Sequence, residues 1–320
     1  MSITLASVSS SAEAASLRLA ISNLPIDALQ SINIHVDEDA EYMSHVMSEL
    51  LGLETRILNL SIYCPDASLF ALLERAHFRH LKRLKLRTSS KVFSTKRCAE
   101  LLKTILRHAT HTVKELDLRC AEQNPHPGLS NTTLSLWDRD ASAPFDGMSC
   151  HLEDVTFRGL DFSKAHSFDW GRFGEKGLER LRISNCLGSE AVLSNLPTAT
   201  TTWHCLHSLS IVLPDMRMQH NPTTLRVVEA VLSSLPEHSL RHLRVEIPDA
   251  KLLPNAECIA RHEELESLFI GVTDSDGRWL AFHASDIEVI GRNCPGLHCL
   301  GLTFPPIDRC QDFMVRRFPS

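Results

Sequence analysis

A short apolar phrase recurs along this chain and limits the folds that it can adopt. Its clearest copy is Gly177-Leu178-Glu179-Arg180-Leu181-Arg182-Ile183-Ser184-Asn185-Cys186, in which Leu178, Leu181 and Ile183 alternate with charged and polar residues. A period of two predicts a strand with one buried face and one face in water, and the Asn-Cys end suits the turn that closes the strand. Recurrence of such a phrase predicts an array of stacked units, each in contact with its neighbours.

Ten copies of the phrase can be read, and their spacing varies from 25 to 39 residues. They begin at Leu29, Thr55, Leu81, Val113, Leu152, Leu178, Leu206, Leu240, Leu265 and Leu297, and degenerate material begins at Leu17. A period near 30 residues leaves room for a helix and a loop between successive strands. Strands joined by crossover helices run parallel and turn in a right-handed sense. The sequence therefore predicts an α/β fold: a right-handed solenoid, or horseshoe, of about ten irregular repeats, with a parallel concave sheet and convex helices.

Several of the return segments have helical signals. Ser285 to Glu288 reads as a capping box, and Asn293-Cys294-Pro295-Gly296 reads as the stop of the same helix. Asn221-Pro222 opens a second helix. Apolar stripes at helical spacing are formed by Leu225, Val228 and Leu232, by Cys98, Leu101, Leu102, Ile105 and Leu106, and by Leu69, Leu72 and Leu73.

The repeat domain is expected to span residues 17–305. Residues 1–16 are rich in Ser and Ala and are predicted to be a flexible tail, and residues 306–320 are predicted to be a C-terminal tail or cap. Two longer connections, 119–150 and 187–203, are predicted to be loops that interrupt the array without breaking it.

Composition limits the classes of partner. The net charge of −6 gives no overall attraction to nucleic acid or to an anionic membrane, so neither is an expected partner. No stretch approaches the length of about 18 apolar residues that a membrane helix requires. The ten Cys lack a paired spacing, which indicates reduced, mostly buried thiols and a cytoplasmic or nuclear location.

The repeated phrase resembles the leucine-rich-repeat family and, within it, the irregular arrays of fungal F-box and leucine-rich-repeat proteins. The stretch from Asp286 to Leu302 carries the closest likeness, because it reads as a helix followed by Cys-Pro-x-Leu-x-x-Leu-x-Leu. The resemblance implies that the repeats capture a substrate protein while an F-box docks onto the adaptor of a cullin-type ubiquitin ligase. It thus implies a substrate-recognition subunit.

An F-box is not evident in this sequence. Leu24-Pro25-Ile26-Asp27-Ala28-Leu29 begins like one, but residues 31–36 alternate as a strand does. Three readings stay open: a truncated gene product, a receptor whose docking module has diverged, or a repeat protein with another role. A rival function is a repeat-type regulator, such as an inhibitor or a GTPase-activating protein, or a scaffold unrelated to ubiquitin.

The side chains that lie between the inward Leu positions are predicted to form the concave face. Eight of the thirty are Lys or Arg and four are Asp or Glu, which reverses the charge balance of the whole chain. The hypothesis is that an acidic segment of a protein partner binds Arg83, Lys85, Arg87, Arg119, Arg158, Arg180, Arg182 and Arg244, with Phe269 as an anchor. The alternative is a solvated sheet face whose Arg side chains pair with Glu115, Asp117 and Asp154 on neighbouring strands.

Motifs for chemistry are weak. Gly171, Gly174 and Gly177 precede a strand, whereas a phosphate loop opens a helix, and the stretch from Asp274 to Gly277 reads as a turn. The clusters His108/His111 and His204/Cys205/His207 lack a second ligand pair. We therefore expect no cofactor, no metal site and no enzymatic activity, and a function in protein binding.

Overall fold

The structure is a computed structural model. It describes residues 2–5, 10–25, 29–35, 46, 57–64, 70–74, 78–89, 92, 96–109, 111–120, 151–162, 170, 177–196, 203–214, 223–248, 252–273 and 280–302. Of the connection predicted as a loop at 119–150, Arg119 and Cys120 belong to a strand and residues 121–150 lie outside the described residues. The predicted helix opening Asn221-Pro222, the glycines Gly171 and Gly174, the turn at 274–277 and the C-terminal segment 306–320 also lie outside them.

The fold is built on one open, fully parallel sheet of eleven strands, whose spatial order is the order of the chain. The strands are β1 Ser2–Leu5, β2 Ser31–His35, β3 Asn59–Cys64, β4 Arg83–Thr88, β5 Glu115–Cys120, β6 Asp154–Arg158, β7 Arg180–Ser184, β8 Ser208–Val212, β9 His242–Ile247, β10 Ser267–Val272 and β11 Cys299–Leu302. Sequential order with parallel pairing is what an array of strand and return segments predicts.

The strands share one register, and the register follows from the repeated phrase. At each step the first apolar residue of a strand pairs with its equivalent on the next strand, as Leu84, Leu116, Val155, Leu181 and Leu209 do. A second apolar row contains Leu86, Leu118, Phe157, Ile183 and Ile211. Both of these rows are buried, so the core runs beneath the sheet from strand to strand.

The junctions before strands β3 to β11 repeat one hydrogen-bond pattern. A single carbonyl accepts two consecutive backbone amides of the next unit, as Lys82 O does from Lys114 N at 2.8 Å and Glu115 N at 3.0 Å. The acceptors at the nine successive junctions are Gln30, Leu58, Lys82, Lys114, Glu153, Glu179, His207, Arg241 and Glu266. This recurrence keeps adjacent units in register and satisfies the backbone where each strand begins.

Helices in the return segments cover the apolar side of the sheet. Those in the described residues are α1 Ser11–Ser22, α2 Phe70–Leu73, α3 Lys96–His108, α4 Ser189–Leu193, α5 Thr223–Ser234, α6 Ala256–Ala260 and α7 Ala284–Asn293. The stripe predicted for α3 is confirmed, because Cys98, Leu101, Leu102, Ile105 and Leu106 are all buried. Neighbouring helices contact one another, α2 with α3, and α4, α5, α6 and α7 in succession.

The predictions for the N-terminal segment, the start of α7 and the connection 187–203 are wrong in the described residues, and the first of these three is the flexible tail at 1–16. Ser2–Leu5 is strand β1 and pairs in parallel with β2, and Ser11 begins α1. Leu5 and Ala14 are buried. A short Ser- and Ala-rich segment has little propensity signal of its own, and pairing with β2 and burial against the core determine its structure.

The second correction concerns the N-terminus of α7. The helix begins at Ala284, with His283 as its N-cap, which is two residues before the predicted N-cap Ser285. The backbone N–H of His283 donates to Asp286 Oδ2 at 3.2 Å, so Asp286 takes the part assigned to Glu288. Glu288 instead pairs with Arg292 one turn later, at 2.8 Å.

The third correction lies in the connection 187–203, which was predicted to be a loop. Part of it forms α4, and two tryptophans anchor it. Trp170 Nε1 donates to Val192 O at 3.0 Å, and Trp203 Nε1 donates to Leu196 O at 2.8 Å. The two indoles meet edge to face with centroids 5.4 Å apart. Large aromatic rings whose polar atoms are satisfied supply the packing that the short helix lacks by itself.

A buried histidine, His262, follows α6. His262 is fully buried, and its Nε2 lies 3.2 Å from Leu232 O. Burial lowers the pKa of His262 below its ordinary value, and the nearby charge of Arg261 lowers it further. Burial favours the neutral ring because a charged imidazolium would lose its water without gaining a paired carboxylate.

We expect stability to fall on acidification through His262. Its share of the stability is complete above the unfolded pKa of about 6.5 and is lost as pH falls from there towards the lowered folded value, because the unfolded state then binds the extra proton. His262→Gln keeps a donor near Leu232 O but does not titrate. Urea midpoints at several pH values between 7.5 and 5.0 should therefore decline less steeply in the variant, and parallel declines in the two proteins contradict this assignment.

No helix in the described part of the chain is long and apolar enough to cross a membrane.

Candidate functional site

The candidate site is the polar face of the sheet, defined as the side chains at alternate strand positions that point away from the core rows. The common register aligns these side chains in three rows across the strands. The first row includes Arg83, Glu115, Asp154, Arg180 and Ser208; the second includes Thr4, Asn33, Ser61, Lys85, Asp117, Thr156, Arg182, Ser210, Arg244, Phe269 and Gly301; the third includes His35, Tyr63, Arg87, Arg119, Arg158, Ser184, Val212 and Glu246. All nine residues predicted for partner binding lie on this face.

Acidic neighbours pair with the two arginines of the first row. Arg83 Nε lies 2.8 Å from Glu115 Oε1, and Arg180 Nε lies 2.9 Å from Asp154 Oδ2. Each pair joins adjacent strands at a directly opposed position. The alternative drawn from the sequence, a face neutralised by cross-strand pairs, therefore describes the first row correctly. Because these pairs are partly exposed, each contributes about 1 kcal/mol or less.

The pairing of Asp117 and Arg119 runs along β5 rather than across it. Arg119 Nε donates to Asp117 Oδ1 at 2.7 Å and Nη2 donates to Oδ2 at 2.7 Å, which makes a two-pronged contact. Asp117 is buried by its neighbours although it lies on the polar face. The hydrogen bonds with Asp117 raise the pKa of the Arg119 guanidinium above its ordinary value. This contact fixes the Arg119 guanidinium in one orientation.

Phe269 occupies the far end of the face, beside an arginine and a glycine. Its ring is 38% exposed, and the Arg244 guanidinium carbon lies 4.9 Å from the ring centre. Gly301 lies opposite on β11, where any Cβ would overlap the ring. Arg244 also pairs with Glu246 on its own strand, with Nε donating to Oε1 at 2.7 Å. Phe269 is therefore a partly exposed aromatic side chain whose neighbours fix its position, and Glu246 neutralises the charge of Arg244.

Four of the eight predicted cations have no acidic partner within the part of the chain that the structure describes. They are Lys85, Arg87, Arg158 and Arg182, which we call the unpaired cations. They lie on β4, β6 and β7, on both sides of the Asp117–Arg119 contact. Arg87, Arg119 and Arg158 are directly opposed on three adjacent strands, about 4.8 Å apart along the row. The middle of the face is therefore locally basic.

Tyr63 is a residue of this face that the sequence pattern missed. The second copy of the phrase was placed at Thr55 with Leu58 and Leu60 inward, which put Ile57 on the face. Ile57 is buried, and β3 instead alternates with Leu60 and Ile62 inward. That register places Tyr63 in the third row beside His35 and Arg87. The buried pair Leu60 and Ile62 was the signal that could have found it.

An aromatic and cationic stack forms around Tyr63. The His35 and Tyr63 rings are stacked with centroids 4.2 Å apart and planes inclined by 20°. On the other side, the Arg87 guanidinium carbon lies 5.0 Å from the centre of the Tyr63 ring. Because a guanidinium packs favourably over an aromatic face, the ring holds Arg87 without neutralising its charge.

A pocket of about 300 Å³ opens on the face next to this stack, and we call it the Tyr63 pocket. It is lined by Thr4, Asn33, Ile34, His35, Ser61, Ile62, Tyr63, Lys85, Leu86, Arg87, Asp117 and Arg119. Its volume suits one side chain or a small chemical group rather than a cofactor.

Burial lowers the reactivity of three of the cysteine thiols. Burial raises the pKa of the Cys98 and Cys186 thiols to about 12 and that of Cys294 to about 11, so these thiols stay protonated at neutral pH. Cys205 and Cys299 are exposed. Among the residues that the structure describes, no three His, Cys, Asp or Glu side chains are grouped as a metal site would require.

No protein-family model matches this chain, and no curated protein matches it. The resemblance to F-box and leucine-rich-repeat proteins accordingly remains a prediction from the repeated phrase.

Proposed function

We propose that this chain is a non-catalytic protein-binding module, a right-handed leucine-rich-repeat solenoid whose concave surface is the polar face and whose partner presents an acidic segment there. The observation that carries the proposal is the set of unpaired cations, Lys85, Arg87, Arg158 and Arg182. A face built only for solubility would be expected to pair its charges as the first row does.

The energetics favour an anionic partner over an isolated face. Like charges that face each other on adjacent strands destabilise a sheet. Arg87, Arg119 and Arg158 face each other in this way, and Asp117 pairs with Arg119. An acidic segment laid across these strands would relieve the repulsion and form charge-assisted hydrogen bonds. Steering by the same charges would speed association and make it sensitive to salt.

The ubiquitin-ligase role is a narrower proposal that rests on the resemblance alone. It requires a docking module for the adaptor, and the stretch that begins like an F-box leads into strand β2. The polar face itself fits a substrate receptor, an inhibitor or a scaffold equally well, because each needs only a complementary partner. A cytoplasmic or nuclear location is compatible with each of these three functions.

The test is partner capture with matched variants. The tagged wild-type chain and a variant with all four unpaired cations replaced by alanine are used to purify bound proteins, which mass spectrometry identifies. We expect a specific partner that the variant loses, and we expect its affinity for the wild-type chain to fall about tenfold or more between 50 and 300 mM salt. Recovery of a cullin and its adaptor would support the ubiquitin-ligase role.

A matched control removes the same charge elsewhere. Arg79, Arg97, Arg226 and Arg292 are exposed and lie on turns or helices rather than on the polar face. Replacing all four by alanine changes the net charge equally and should leave the partner bound. Equal loss from both variants, or binding that neither variant nor salt affects, would contradict the proposal that the face binds.

A further inference from the structure

We propose that the Tyr63 pocket receives one large apolar side chain of the partner segment, aliphatic or aromatic, with acidic residues of the segment on either side of it. This inference rests on the proposed function and specifies a second requirement for the segment besides its charge. It depends on three features of the pocket: the carbon surface of its wall, the hydrogen bonds that already engage its polar groups, and its position among the unpaired cations.

The floor of the pocket is the sheet itself. Ile34, Ile62 and Leu86 line the pocket and lie side by side on β2, β3 and β4, in the second apolar row. Their side chains are buried on the core side, so the part of them that faces the pocket is backbone. Backbone N–H and C=O groups inside a parallel sheet bond to the neighbouring strands, and they have little capacity left for a polar ligand.

The wall of the pocket presents mostly carbon. His35 and Tyr63 contribute two stacked rings, whose centroids are 4.2 Å apart. Lys85, Arg87 and Arg119 carry their charges at the ends of long alkyl stems, which cover apolar surface while the charged group stays in water. Carbon atoms accordingly make up most of the accessible lining. An apolar group that displaces water from this wall gains free energy in proportion to the apolar area that it covers.

Polar side chains in the lining are engaged with one another. Asn33 Nδ2 donates to Thr4 Oγ1 at 3.3 Å. Arg119 donates to Asp117 through Nε and Nη2, at 2.7 Å each. Ser61 contributes a short side chain that leaves the depression open. A polar ligand group would have to compete with these hydrogen bonds, whereas an apolar group leaves them intact.

The position of the pocket connects the apolar contact with the charged one. Lys85 and Arg87, two of the unpaired cations, line the pocket and lie on β4. A segment whose acidic residues reach these cations therefore runs over the pocket opening. In an extended segment, the residues two positions before and after a given residue point to the same side, about 7 Å away from it. The central residue can thus fill the pocket while acidic residues at those two positions reach the cations at its rim.

The experiment uses three immobilised pools of degenerate nonapeptides. Each pool has aspartate two positions before and two positions after the centre, and the central residue is leucine, phenylalanine or serine. Binding of the full chain is measured by biolayer interferometry at fixed salt. We expect the leucine and phenylalanine pools to bind at least about tenfold more tightly than the serine pool, because only their central residues cover the carbon wall.

A pocket-filling variant tests the location without changing any charge. Ser61 lies on the polar face between Asn33 and Lys85 of the adjacent strands, so the indole of Ser61→Trp would occupy the pocket. We expect this variant to bind all three pools as weakly as the wild-type chain binds the serine pool. Ser194→Trp is the matched control, because Ser194 is exposed at the end of α4, and it should keep the preference. Urea midpoints close to wild type establish that both variants fold.

The outcomes separate this inference from the proposed function. Equal binding of the three pools overturns the apolar-anchor inference, and so does a preference that survives Ser61→Trp. In either case a partner that is lost when the four unpaired cations are replaced still supports the acidic-segment proposal. A small apolar molecule that copurifies with the wild-type chain but not with Ser61→Trp, detected by native mass spectrometry, would assign the pocket to that molecule and also overturn the inference.

Discussion

Replacing Phe157 by alanine is expected to lower the free energy of unfolding by about 3–5 kcal/mol. Phe157 is fully buried in β6, the central strand of the sheet, between Leu118 and Ile183 in the apolar row. Its ring also meets Phe162 edge to face, with centroids 5.6 Å apart. Alanine leaves a cavity that two neighbouring units line, and the common register gives the backbone little freedom to close it.

Urea denaturation followed by circular dichroism measures the effect. A matched control lies on the next residue of the same strand, because Arg158 is exposed on the opposite face and its change to alanine should cost no more than about 0.5 kcal/mol. Comparable losses from Phe157→Ala and Arg158→Ala would mean that the core does not lie where the sheet places it. Because arrays can lose two-state behaviour, midpoints are compared together with transition slopes.

The general plan of the sheet could be predicted because it depends on patterns that survive without tertiary context. The spacing of Leu181 and Ile183, and of their equivalents in other units, gives both the strand and its buried side. Both predicted inward residues are buried in eight of the ten copies, the exceptions being the copy at Thr55 and the last copy, where Leu300 is 40% exposed. Parallel order follows from the return segments. Because successive side chains of a strand point to opposite faces, the predicted strands were enough to place all nine candidate residues on one face.

The failures lie where local pattern was ambiguous. Around β3 the apolar residues Leu58, Leu60 and Ile62 alternate with the others, so the phrase fits at two positions that are two residues apart, and pairing with β2 and β4 decides between them. The shift of two residues leaves Leu60 inward and Asn59 and Ser61 on the polar face, but it ends the strand before Tyr63 and so hid that residue. Strand β1 was missed because four residues show little period, and a partner strand stabilises them.

The candidate site needed the structure for a different reason. Sequence counts eight cations on the face, but which of them are neutralised depends on rotamers and on register. Arg83 and Arg180 pair across strands, Arg119 pairs along its strand, and Arg87 lies over Tyr63. Only the pairing pattern distinguishes a solvated face from one with unbalanced charge, and no propensity scale encodes it.

Reversing two charges beside the Tyr63 pocket should weaken partner binding by about 100-fold or more. Hydrogen bonds to charged groups contribute about 1.5–3 kcal/mol each, so losing two of them costs at least about 3 kcal/mol. Lys85→Glu combined with Arg87→Glu removes both and adds repulsion towards an acidic segment. Isothermal titration calorimetry with the captured partner gives the dissociation constant of each protein.

The control for charge reversal is Arg226→Glu combined with Arg292→Glu, which changes the net charge by the same amount on exposed helix positions. We expect it to change the affinity less than threefold at 150 mM salt, because separations beyond the Debye length of about 8 Å are screened. Urea midpoints should be close to wild type in both variants, since the substituted side chains lie outside the core. If the two variants weaken binding equally, the partner responds to overall charge, and the polar face between β3 and β5 is not where it binds.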